Sequence, residues 1–277
     1  MIPLPAAAIA LLLTPLGSAA IGRCIIDFYH RLGASRPNYR GKPLPAALGP
    51  ALLLGYLSGA AAAQWLGGAA PPFAVLFLWA GFAFLGLWDD LISEEIRGFK
   101  GHFGALCRGR LTAGFLKAFM ALLISLLFAG NLPLPPGRRL AATLLILLSA
   151  NALNLFDRRP GRALKVFFFG ALLVIFLART PGPAALLLLP LLIGALAVAP
   201  LDLAAAAMLG DCGANLLGAA LGVGAALHLP ASHRAPLLMI LVALHLFCEF
   251  SSLSKVIEKS AILRRLDHLG RFRENYG

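Results

Sequence analysis

Apolar runs long enough to cross a bilayer recur along the whole chain, and that recurrence narrows the available folds more than any other feature. A helix rises 1.5 Å per residue, so about 17–25 apolar residues cover the hydrocarbon core. Nine such runs lie near residues 3–21, 46–66, 72–92, 112–130, 139–156, 163–179, 184–201, 212–229 and 235–250 of the 277. Inside a membrane the backbone must bond within its own segment, so each run is expected to be a helix. The chain is 60% hydrophobic and 13% charged, whereas soluble domains carry about 25% charged residues. The first run has no Lys or Arg ahead of Arg23; lacking a basic n-region, it reads as a retained helix and not a cleaved signal.

The resulting fold class is an all-α polytopic membrane protein of about nine transmembrane helices. Of the 24 Lys and Arg residues, nineteen fall in the connections after spans 1, 3, 5, 7 and 9, and four in the opposite set. The positive-inside rule then puts the N-terminus outside and the C-terminus in the cytoplasm, in a cell membrane crossed several times. Residues 1–250 form the transmembrane domain. The basic tail 251–277 places Val256, Ile257, Leu263 and Leu266 among Lys and Arg, the pattern of an interfacial helix. The net charge of +12 is assigned to loops facing anionic headgroups and anionic substrates, with no nucleic-acid partner expected. Cys24, Cys107, Cys212 and Cys248 lie at or near that same face, where thiols stay reduced, and read as packing residues.

Only twelve residues are acidic, and carboxylates are costly near the bilayer interior, so their positions carry information. Asp89-Asp90 closes the third span; adjacent carboxylates repel, and a hard divalent cation relieves them. In Asn151-Ala-Leu-Asn154-Leu-Phe-Asp157 the three polar residues recur at a spacing of three, which keeps them in one sector of a helix. The basic residues Arg158, Arg159, Arg162 and Lys165 follow, suited to phosphate. In Gly210-Asp211-Cys-Gly213 the glycines permit close approach of backbone or ligand around a lone carboxylate. The loop Arg36-Pro-Asn-Tyr-Arg40-Gly-Lys42 precedes the second span and reads first as a positive-inside anchor.

In order and spacing these segments resemble the polyprenyl-phosphate N-acetylhexosamine-1-phosphate transferases, which include phospho-N-acetylmuramoyl-pentapeptide transferase and the undecaprenyl-phosphate GlcNAc-1-phosphate transferases. The resemblance runs from about residue 36 to 225, through GLWDD, GFKGHFGAL with LTAGFLK, NALNLFD and MLGDCGANLLG. It implies that Asp89, Asp90 and Asp211 form the catalytic and metal site, with Mg²⁺ as cofactor and Mn²⁺ as the alternative. It further implies that Asn151, Asn154 and Asp157 face the nucleotide and that Lys117 binds phosphate; Arg159, Arg162 and Lys42 complete the expected substrate-binding set. The implied reaction moves a sugar 1-phosphate from a UDP-sugar to a polyprenyl phosphate, with release of UMP, in envelope-polymer synthesis. A homodimer is one assembly this allows. Three departures stand out: Arg158-Arg159-Pro160-Gly161 follows Asp157 where the family continues with Gly, Ala214 replaces a serine, and the His-rich motif near the C-terminus is missing. They leave a second reading, an altered relative that binds lipid phosphate or scaffolds other membrane enzymes. A transporter ranks last, because its coupling charges belong near mid-membrane.

Overall fold

Each of the nine apolar runs becomes a helix in the computed structural model, which describes residues 4–66, 71–92 and 98–271. Helix α1 (Leu4–Leu32) leads into a small antiparallel hairpin of β1 (Arg36–Pro37) and β2 (Pro43–Leu44). Helices α2 (Leu48–Trp65), α3 (Phe73–Leu91), the short α4 (Gly98–Cys107), α5 (Ala113–Gly130), α6 (Pro136–Phe156) and α7 (Arg162–Leu177) follow. The chain continues through α8 (Pro181–Leu203), α9 (Gly210–His228) and α10 (Ala231–Phe250) to two short helices, α11 (Leu253–Lys259) and α12 (Ala261–His268).

Among the described residues seven helices are long and apolar enough to cross a membrane: α1 from Leu11, α3, α5, α6, α8, α9 and α10. The chain is therefore an all-α polytopic membrane protein. Helix α7 has 16 residues, about 24 Å at 1.5 Å per residue, and is shorter than any of those seven. Helix α1 continues to Leu32, well beyond the apolar run that ends near 21, and carries Arg23, Asp27 and Arg31 on its last turns. Local signals start several helices. Thr112 caps α5 by accepting the Phe115 N–H at 3.2 Å, and prolines open α6 and α8, where an N–H would have no helical partner.

Helix α9 is the hub. It packs against α2, α3, α6, α7 and α8, and nearly every residue from Gly210 to Ala226 is buried. A helix surrounded on all sides needs small residues wherever another backbone approaches. A Cβ at Gly218 would sit 2.5 Å from the Ser149 carbonyl oxygen, and one at Gly222 2.5 Å from the Ile146 Cα, so these two glycines seat α6. Gly49 of α2 and Gly86 of α3 abut the first turn of α9 in the same manner.

The tail does not form one continuous helix. It breaks at Ser260, which caps α12, and folds back onto the connection between α6 and α7. Arg162 donates from Nε and Nη2 to the two carboxylate oxygens of Asp267, at 2.7 and 2.9 Å, and from Nη1 to Ser254 Oγ at 2.9 Å. Both side chains of that pair are buried. Arg271 pairs with Asp267 at 2.8 Å and donates to the Pro160 carbonyl. Lys165 donates to the carbonyls of Leu266, Asp267 and Leu269 at the C-terminal end of α12, a helix end that favours a cation. Of the tail's expected apolar face, Ile257 is buried, whereas Val256, Leu263 and Leu266 are exposed beside Arg264 and Arg265.

Burial alone would raise the Asp267 carboxyl; Arg162 and Arg271 outweigh it and hold the group below the usual carboxylate range. A depressed folded-state value means that docking is fully supported above the unfolded Asp value of about 3.9 and is lost as pH falls through the lower folded value. Backbone amides of 253–269 should therefore be protected from hydrogen exchange at neutral pH. After correction for intrinsic rates, they should lose that protection in acid, as pH falls below the lowered folded value of Asp267, before α9 does. Equal protection of the tail at neutral and acid pH would show that the ion pairs do not hold it.

Candidate functional site

The polar ends of α3, α5, α6 and α9 surround one cavity of about 1370 Å³ that reaches from the basic hairpin to the tail. It brings together Asp89, Asp90, Lys117, Asn151, Asn154, Asp157, Arg159 and Asp211, all expected at a site from sequence. These residues span 122 positions of the chain, and helix packing alone makes them neighbours.

Lys117 is the centre of the cluster. Its Nζ donates to Asp89 Oδ2 at 2.6 Å and to Asp211 Oδ2 at 3.3 Å, joining the C-terminal end of α3, the second turn of α5 and the first turn of α9. Two carboxylates thus converge on one cation. The place on which they converge is filled by the Lys117 ammonium, and these two carboxylates are the groups here that could ligate a hard divalent ion.

Asp90 has a different task from the one expected of it. Its Oδ1 accepts the backbone N–H of Asp211 at 3.1 Å and its Oδ2 that of Cys212 at 3.0 Å. The first N–H groups of a helix have no partner within it and carry the positive end of its dipole, so a carboxylate there satisfies both needs. Asp90 is buried and acts as a cap for α9 supplied by α3. Of the three carboxylates expected at one ion, Asp89 and Asp211 share Lys117 while Asp90 points both oxygens at backbone. Among the described residues no group of three or more His, Cys, Asp or Glu side chains is disposed to hold a metal. Gly210 makes the cap possible: its φ is +72°, and a Cβ there would meet Asp90 Oδ2 at 2.7 Å.

Arg36 holds the opposite side of this junction. It donates to the backbone carbonyls of Asp89 and, at 3.1 Å, Ile92, and its Nη1 lies 3.7 Å from Asp90 Oδ1. The loop read as a membrane anchor is thus part of the site. Lys42 is exposed and does not line the cavity; its backbone N–H binds Asn38 instead. Arg162 does not line the cavity either; its guanidinium binds Asp267 and Ser254. Arg159 does line it; it stacks 4.2 Å from the Tyr39 ring centroid and pairs with Glu258 of the tail.

Sequence reasoning passed over Asp202. At the end of α8 it accepts the N–H of Gly161 at 2.7 Å and that of Leu209 at 3.2 Å, tying together the starts of α7 and α9. Burial, and then the neighbouring Asp202 carboxylate, push the Asp157 carboxyl well above the usual range, with the Gly210 N–H opposing them. His102, whose Nδ1 is 2.9 Å from Thr112 Oγ1, also faces the cavity, as do Arg158 and Asn215. The signal for Asp202 was its isolation in apolar sequence; for Arg36 there was none beyond its charge.

The chain matches no family model, and no curated protein matches it.

Proposed function

We propose that this chain is a membrane phosphoglycosyl transferase that moves a sugar 1-phosphate from a UDP-sugar to a polyprenyl phosphate and releases UMP. The observation that carries the reading is the meeting of Asp89, Lys117 and Asp211 in one cavity that also holds the Asn151–Asp157 strip and Arg159. Two anionic substrates must approach each other, so basic and metal-binding groups have to sit side by side. An oxygen of the lipid phosphate bonds to the sugar-bearing phosphorus, and the bond from that phosphorus to the bridging oxygen breaks, leaving UMP.

Lys117 neutralises phosphoryl charge at the reacting phosphorus, while Arg36, Arg158 and Arg159 line the approach. Asn151 and Asn154 offer both donors and acceptors to the nucleotide side. Asp89 and Asp211 would hold Mg²⁺ or Mn²⁺, which supplies further charge neutralisation when bound. Asp90 is a positioning residue through its hold on α9. In this reading the remaining helices α2 and α7 bring the crossings to nine, with the cavity and the tail on the cytoplasmic face of the cell membrane.

Purified protein with Mg²⁺ and a polyprenyl phosphate should exchange labelled UMP into a UDP-sugar, and chelation should stop the exchange. Folded protein that exchanges no label across a panel of UDP-sugars would overturn the transferase reading in favour of a lipid-phosphate-binding or scaffolding role.

A further inference from the structure

The cavity has two ends. Beyond the Asp89–Lys117–Asp211 cluster it continues between Phe82, Leu85, Leu147 and Leu148. Phe82 precedes Asp90 by eight residues on α3, about 12 Å at 1.5 Å per residue. Asn215 stands at the boundary between the polar and apolar parts. It lies one helical turn inward from Asp211 on the same face of α9, is 4% exposed, and lines the cavity.

Its side-chain Nδ2 has no hydrogen-bond partner among the described residues. A buried amide left unpaired is destabilising, and native proteins rarely tolerate one without a use. Ordinary helix packing does not account for it. Gly218 and Gly222 seat α6 directly against α9, and the antiparallel run of the two helices sets Asn215 near the level of Ala152 and Leu153. A leucine or alanine would fill that place without an unmet donor. The neighbouring residues of the same turn, Ala214 and Leu216, are fully buried and apolar.

We propose that Asn215 is a ligand-contacting residue whose Nδ2–H donates to a phosphoryl oxygen held between the Asp89–Lys117–Asp211 cluster and the apolar inner end of the cavity. The proposal rests on the phosphate-ligand reading given above and adds a contact that the acidic and basic residues do not supply. A neutral donor suits this depth, because an amide is far less costly to bury than an ammonium when the cavity is empty. The phosphoryl oxygen has two sources, the prenyl phosphate and the nucleotide, and they can be told apart.

The test measures binding of farnesyl phosphate alone and UMP alone to purified, detergent-solubilised wild type, Asn215→Leu and Asn215→Asp, together with the thermal midpoint of each ligand-free protein. Asn215→Leu should weaken whichever ligand supplies the oxygen about tenfold, leave the other within twofold, and leave the ligand-free midpoint unchanged or higher. Asn215→Asp sets a carboxylate against the phosphoryl oxygen and should weaken the same ligand by more than the leucine variant does. A structural amide would give the opposite pattern, a lower midpoint with both affinities intact, and that result overturns the proposal. Wild type that binds neither ligand would remove the phosphate reading and this contact with it. Wild type that binds, with both variants binding equally well, would remove the contact alone.

Discussion

Asp211→Asn should lower UMP exchange by about a hundredfold to a thousandfold, the loss typical of removing one preorganised electrostatic group from a reacting centre, while the protein stays folded. The fold should survive because Lys117 keeps its shorter bond, 2.6 Å to Asp89. Asp89→Asn should behave alike, with Lys117 falling back on Asp211 at 3.3 Å. Either change removes one of two carboxylates facing the same cation and leaves shape and packing almost unaltered. Asp90→Asn belongs to another class. An amide keeps one acceptor oxygen, so one of the two α9 N–H groups loses its partner, and the expected signature is about 1–2 kcal/mol of lost stability. Exchange assays paired with thermal midpoints separate the two kinds of aspartate. Full activity in Asp211→Asn would end the proposed chemistry.

Gly86→Ala should be among the most damaging single-methyl changes in the molecule. A Cβ at Gly86 runs into the backbone of Asp211 and Cys212, not into the end of a movable side chain. Overpacking usually costs about 1–3 kcal/mol, and with backbone on both sides the cost should lie at the upper end of that range. The functional loss should be larger than the stability loss implies. Pushing α3 from α9 lengthens both the Asp90 cap and the gap that Lys117 spans, and misplacement by about 1 Å can cost a hundredfold. Gly130→Ala is the matched control: nothing lies within 4 Å of a Cβ there, so midpoint and exchange should hold. A Gly86→Ala protein with normal stability and activity would show that the α3–α9 contact yields more easily than its geometry says.

The helices were legible because the signal for them is local. Phe73–Leu91 and Ala113–Gly130 fall within a residue or so of their apolar runs at 72–92 and 112–130. Where charge sits on a helix that emerges from the apolar zone, run length misleads, as at α1, whose end carries Arg31. Helix α4 was not anticipated, since ten mixed residues carry no spanning signal. At the site, Asp89, Asp211 and the Asn151–Asp157 strip were readable because polar groups are rare in such sequence. Their partners were not. Arg162 looked like a phosphate ligand from its neighbours, yet its true partner, Asp267, lies 105 positions away. Asp90 and Asp89 are indistinguishable in sequence and diverge only because one of them points at the start of another helix. Asn215 was visible in its motif but had no feature there to set it apart from packing.

The cap that Asp90 places on α9 has a mechanical corollary. With that carboxylate gripping two N–H groups, and with glycine at the point of closest approach, the tips of α3 and α9 must travel together as a single jaw. Arg36 ties the hairpin to the same tip, so admission of a bulky guest would fall to the remaining wall, the folded-back C-terminal strap that Arg159 and Glu258 fasten. Under the proposed chemistry, a strap that swings aside would leave Asp89 and Asp211 in register on Lys117.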